Sequence, residues 1–146
     1  VSFDWQTFWF YSLESLSFLF IPEMCLFTLA LLANLVVSVT RSPRLRSGDW
    51  PKSCLGLLVN FLFFPAIIFV AVVWAVDGRQ WPRPEPDHQA VQKCNTLFFL
   101  SLAFGSYWTY RMKGLRWFAS AIVLLQQWIL LGALFIAGMA LSGDWI

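Results

Sequence analysis

The segment WFASAIVLLQQWILLGALFIAGMAL, Trp117 to Leu141, carries no charged residue and decides which solvent this chain folds in. A hydrocarbon core about 30 Å thick needs roughly 20 helical residues to cross it, so a stretch of this length reads as a membrane span. Ser53 to Val76 and Asn95 to Tyr110 share its character, each without an internal charge. A fourth apolar region, Trp5 to Thr40, would run about 50 Å as one straight helix, more than a bilayer requires. Pro22 breaks it, because proline lacks an amide hydrogen and pushes its predecessor out of helical geometry.

These four regions predict an all-α integral membrane protein, a single domain over 1–146 built as a four-transmembrane-helix bundle. The expected spans are 22–40, 53–76, 95–110 and 117–141, with a Pro-rich outer loop over 77–93. Before Pro22, residues 5–21 mix Ser12, Glu14, Ser15 and Ser17 into a Phe, Trp and Leu background. That mixture reads as an interfacial helix near the headgroups, or as the upper part of one helix kinked at Pro22. With no positively charged start and no small-residue cleavage site, this region does not read as a removable signal peptide.

Composition agrees. Hydrophobic residues make up 59% of the chain and charged residues 12%. The mean hydropathy is +0.66. A soluble fold cannot hide that much apolar surface.

Lysine and arginine set the orientation. Arg41, Arg44, Arg46 and Lys52 lie between the first and second spans, and Arg111, Lys113 and Arg116 between the third and fourth. The intervening loop holds Arg79, Arg83 and Lys93. This excess places the first and third loops in the cytoplasm and both termini on the outer side of a bacterial inner (plasma) membrane. Asp4, Asp77, Glu85, Asp87 and Asp144 then all fall outside. Tryptophans follow the two interfaces, and only Trp128 is left near mid-membrane.

Polar residues inside the spans are the candidates for function, since lipid penalises them. Glu23 follows Pro22 and falls in the first turn of the first span, where it acts either as a dipole-capping acid or as a protonatable, cation-binding carboxylate. Glu14 is wet on an interfacial helix and buried if the segment inserts. Gln126 and Gln127 sit near the middle of the last span, about 100° apart, so one is expected to face the bundle and the other a neighbouring subunit or lipid. Asn34 and Asn60 lie near the inner ends of the first and second spans. Pro65 removes the usual partner of the Phe61 carbonyl, so Asn60, Pro65 and Gln126 are candidates to line a polar path. The alternative role of these amides is interhelical hydrogen bonding that fixes packing.

Small residues recur at four-residue spacing as Ser101, Gly105 and Thr109, as Ala133 and Ala137, and as Ala30, Asn34 and Ser38. Such stripes let helices approach closely. The cytoplasmic cations Arg41, Arg44, Arg46, Lys52, Arg111, Lys113 and Arg116 set topology and are candidates to bind anionic lipid.

A single histidine, His88, cannot supply paired haem ligands or a histidine-rich metal site, and Cys25, Cys54 and Cys94 are not spaced as a redox pair. No cofactor is expected. The loops are too short for nucleic-acid recognition. The leading expectation is a homo-oligomeric transporter or channel for an ion or small solute. Its competitor is a non-catalytic lipid-binding or scaffold subunit of a larger membrane complex, with membrane lipids and a membrane protein as partners. A membrane-embedded enzyme comes third, because no pair of ionisable side chains is placed for acid–base or nucleophilic work. The chain is therefore expected not to be an enzyme.

Overall fold

A computed structural model describes residues 4–17, 22–43, 53–75 and 87–143, the side chains of 22–24 and 53 excepted. Among the described residues the fold is all-helical and has no strand. In chain order the elements are α1 (Trp5–Ser17), α2 (Pro22–Arg41), α3 (Ser53–Asn60), α4 (Phe63–Val73), α5 (His88–Arg111) and α6 (Arg116–Ser142). Among the described residues two helices are long and apolar enough to cross a membrane: Cys54–Val73, which takes in α3 and α4, and Arg116–Ser142. Cys25–Arg41 is apolar but shorter.

The helix ends follow local chemistry. Asp4 caps α1, accepting from the amides of Gln6 at 3.0 Å and Thr7 at 3.1 Å and from the Thr7 hydroxyl. Helix α2 starts at Pro22, where a missing amide hydrogen costs no helical bond. Asp87 caps α5 through the amides of Gln89 at 2.8 Å and Ala90 at 3.2 Å. That cap corrects the expected boundary of the outer loop at residue 93, because His88 to Lys93 are already helical. Gly114 and Gly143 take φ of 84° and 70°, left-handed values that turn the chain between α5 and α6 and close α6.

Helix α6 is the axis of the structure. It packs against α1, α2, α4 and α5, whereas α2 packs on α6. Cys54, Leu57, Met112, Phe118, Ala119 and Val123 form one apolar cluster. A second, larger cluster joins Tyr11, Ile67, Ile68, Ala90, Cys94, Leu130, Ala137 and Leu141. Since α3–α4 and α6 both run from the first cluster to the second, they are parallel, and α5 runs against both. Tyr11, Ser12 and Ser15 of α1 are buried, and α1 lies against α4 and α6. The Oγ atoms of Ser12 and Ser15 donate to the carbonyls of Phe8 and Tyr11, so both serine hydroxyls on that buried face are paired.

The join between α3 and α4 is tighter than an α-helix. Phe61 N donates to the Leu58 carbonyl, Leu62 N to Val59 and Phe64 N to Phe61, all three residues back. Pro65 stands in the first turn of α4, and this tightening answers its missing amide. The Phe61 carbonyl loses its usual partner to Pro65, as the sequence predicts, but accepts from Phe64 N instead and is not left free. The carbonyl released is that of Leu57, whose ordinary amide partner, Phe61, has turned to Leu58.

Asp4 supplies a test of the α1 cap. Its carboxyl is held below the usual carboxylate range, chiefly by the Thr7 hydroxyl and then by the amides of Gln6 and Thr7. A lowered folded value contributes stability at every pH above the unfolded value of about 3.9 and loses it as pH falls through the folded one. Tryptophan fluorescence from Trp5 and Trp9 is therefore expected to be flat from neutral pH to about 5 and to change below about 3.9. In Asp4→Asn that low-pH component disappears; an identical acid transition in this variant would refute the cap's role.

Candidate functional site

The residues between the two apolar clusters form a buried polar layer about halfway along α6. Asn60 at the end of α3 and Gln126 in α6 are 0% and 1% exposed, and Ser101 of α5 is 0% exposed. Asn60 Nδ2 donates to Gln126 Oε1 at 2.8 Å, and Gln126 Nε2 donates to the Leu57 carbonyl at 2.8 Å. Ser101 Oγ donates to Asn60 Oδ1 at 3.2 Å and accepts from Gln127 Nε2 at 2.8 Å. The result is one polarised chain from Gln127 through Ser101, Asn60 and Gln126 to Leu57. Each bond strengthens its neighbour in a low-dielectric interior. The direction is enforced, because turning the Gln126 amide over would set its carbonyl against that of Leu57.

Two local features let the layer close. The tightened α3–α4 join delivers the Leu57 carbonyl, and Gly105 clears space beside Asn60. A Cβ at Gly105 would lie 2.9 Å from a Val123 methyl and 3.1 Å from Asn60 Nδ2, so only glycine admits both neighbours without displacement. The stripe Ser101, Gly105, Thr109 thus supplies a hydrogen-bonding serine as well as a smooth surface. Ala133 and Ala137 are buried as their spacing predicts. The stripe on α2 is different, since Ala30 and Asn34 are exposed and α2 buries Leu31 instead.

No family model, curated protein or solved structure matches the chain.

The layer brings together three candidates named from sequence, Asn60, Gln126 and Gln127. Both glutamines are buried, Gln127 at 7% exposed, which corrects the expectation that one would face outward. Helix α6 is packed on several sides, so positions 100° apart both meet other helices. Gln127 Oε1 is nevertheless buried without a partner. Trp128 also meets the bundle, its ring 6.2 Å from that of Phe27 on α2, with Nε1 buried and unpaired.

The remaining candidates lie elsewhere. Glu14 is partly exposed on α1, outside the polar layer, and Asn34 is exposed on α2. Glu23 is in the first turn of α2, but its side chain lies outside the described residues. Arg41, Arg111, Lys113 and Arg116 are exposed, with the Arg116 guanidinium 5.3 Å from the Tyr110 ring centre. Arg44, Arg46 and Lys52 lie outside the described residues, as do 77–86 of the outer loop and Val76 before it. His88 is exposed, and the three cysteines form no disulfide.

Chemically, the layer is made of amides, a hydroxyl and a backbone carbonyl, none of which ionises near neutral pH. It can orient helices and hold fixed dipoles. It offers no general acid, base or nucleophile activated by a neighbour. Sequence reasoning missed Ser101 and Leu57 as members. Ser101 was legible only as a small residue, and Leu57 enters through its backbone, which no side-chain pattern encodes.

Proposed function

We propose that the chain is a non-catalytic helical subunit of a larger membrane assembly. In this reading α2, α3–α4, α5 and α6 are the four crossings of a bacterial plasma membrane, with the termini outside. Supporting the orientation, Arg41 at the end of α2 and Gly114 in the α5–α6 turn line one common groove, so the basic ends gather at one end of the bundle. At the opposite end, Lys93 Nζ lies 4.2 Å from the Trp74 ring centre.

The observation that carries the subunit reading is the closure of the polar layer. Asn60, Ser101 and Gln126 spend their hydrogen bonds on one another and on Leu57, away from solvent, in the manner of interhelical glue. Helix α2, meanwhile, packs on α6 and leaves Leu29, Leu32 and Val36 exposed. That face is the surface offered to a larger helical partner. Purification from native membranes is expected to bring down a stoichiometric membrane protein, and Leu32→Trp with Val36→Trp to release it while the chain stays folded. Isolation of the wild-type chain alone would argue against the reading.

A transport reading draws on one observation, the unpaired Oε1 of Gln127, an acceptor suited to water or a cation. In it, copies of the chain enclose a path. Selective flux through liposomes holding the chain alone, altered by Gln127→Leu, would favour this reading over the subunit one.

A further inference from the structure

Between the C-terminal half of α2 and the α5–α6 turn lies a groove of about 640 Å³. One wall carries Asn34, Ser38 and Arg41, spaced so that all three share a face of α2. The other wall is apolar, with Trp117 and Phe118 at the start of α6, and α2 adds Val37 to the lining. Ser38 Oγ donates to Asn34 Oδ1 at 3.2 Å, which occupies the best acceptor on the polar wall. The Asn34 amide hydrogens and the Arg41 guanidinium remain as donors, and no carboxylate pairs with them among the described residues. The α2 side thus offers an amide, hydroxyls and one guanidinium, that of Arg41, while the α6 side is apolar.

We infer that this groove holds one anionic glycerophospholipid, its phosphate at Arg41, an ester carbonyl at the deeper Asn34 amide and an acyl chain along Val37, Trp117 and Phe118. An arginine fork matches phosphate oxygens bidentately. From Arg41 to Asn34 the helix rises about 10 Å, enough to carry a chain from the headgroup level into hydrocarbon. Lys113 and Arg116 flank the groove residues Gly114, Leu115 and Trp117 in sequence and add positive charge at the same end. In hydrocarbon an unpaired amide needs an acceptor, and a lipid phosphate or ester supplies one where water does not reach. A free inorganic phosphate uses the polar wall but leaves the apolar wall unfilled. The inference rests on the membrane placement proposed above and not on the subunit reading.

The test is a delipidation series on the full chain in mild detergent, followed by native mass spectrometry. The probes are phosphatidylglycerol and phosphatidylcholine with the same acyl chains. Wild type is expected to retain one phosphatidylglycerol, roughly five-fold more strongly than phosphatidylcholine, the size of one basic contact at the membrane surface. Arg41→Gln should bring phosphatidylglycerol to the phosphatidylcholine level. Val37→Trp, which fills an exposed part of the groove without touching the core, should lower both. Arg111→Gln, exposed at the same end but outside the groove, should change neither. Thermal melts confirm that each variant is folded. Equal retention of the two lipids overturns the inference, as does full displacement by inorganic phosphate. So does a loss in Arg111→Gln as large as in Arg41→Gln, which marks diffuse surface attraction. Indifference to Val37→Trp also overturns it, since the retained lipid then lies outside the groove. A chain that stays dispersed without detergent sinks the membrane placement itself.

Discussion

Gln126→Ala is expected to destabilise the bundle by about 2–4 kcal/mol, the range for a buried large-to-small change that also strips partners from polar groups. The loss has two sources. Removing the side chain opens a cavity between α3 and α6, and it leaves Asn60 Nδ2 and the Leu57 carbonyl without the bonds they make at 2.8 Å. Single interhelical hydrogen bonds in membranes contribute only about 0.6 kcal/mol on average, because the unfolded helices find other partners in lipid. Most of the expected effect therefore comes from the cavity and from unpaired groups sealed by their neighbours. Asn60→Ala removes a smaller side chain and should cost less.

The combination is more informative than either change. If the layer is one chain of donors, the double variant Asn60→Ala and Gln126→Ala will be less destabilised than the sum of the two by about 1 kcal/mol, since the second removal breaks a bond already gone. On the membrane placement proposed above, reversible unfolding in bicelles against a denaturing detergent gives the numbers. Additivity within about 0.5 kcal/mol would show that the two amides act independently, and the cooperative layer would have to be abandoned.

The all-helical character of the chain was legible because the physics that specifies helices is periodic and strong. An uncharged run such as Trp117 to Leu141 admits few structures, and α6 spans Arg116–Ser142, within a residue of that run at each end. Pro22 marked the start of α2 for an equally direct reason, the loss of its amide hydrogen. The start of α5 was misplaced at Asn95 because Gln89, Gln92 and Lys93 read as loop by polarity. The Asp87 cap and its two amide bonds govern there instead.

The candidate site was half legible. Asn60, Gln126 and Gln127 stood out as polar residues in apolar surroundings, which is a statement about cost and needs no coordinates. Their mutual bonding depends on helix rotation and register, and no residue pattern fixes those when apolar faces are broad. The contribution of the Leu57 carbonyl depends further on a backbone adjustment three residues long. Pro65 hinted at that adjustment but pointed to the carbonyl of Phe61.

Two glycines separate close packing from mere helix propensity. Gly56 in α3 faces the indole of Trp108 on α5, and a Cβ added there would be driven into the ring. Gly138 in α6 has nothing within 4 Å of its would-be Cβ. Alanine favours a helix over glycine by about 1 kcal/mol at either place, so propensity alone predicts that both changes stabilise. Packing predicts opposite signs. The Trp108 ring is hemmed by Phe104 at 6.1 Å and Tyr107 at 5.5 Å between ring centres, and its Nε1 is buried. It cannot yield without moving α3 away from α5. Gly56→Ala is therefore expected to cost about 1–3 kcal/mol net, the usual size of overpacking, while Gly138→Ala is neutral or stabilising by up to about 1 kcal/mol. Shrinking the ring provides the control: Trp108→Phe should recover much of the loss in a Gly56→Ala background while itself destabilising the wild type. If Gly56→Ala proves as stable as Gly138→Ala, α3 and α5 are not in the close contact described, and the placement of Asn60 beside Ser101 loses its support. A recovered double variant would instead tie the approach of these two helices to a single glycine, and with it the geometry that closes the polar layer.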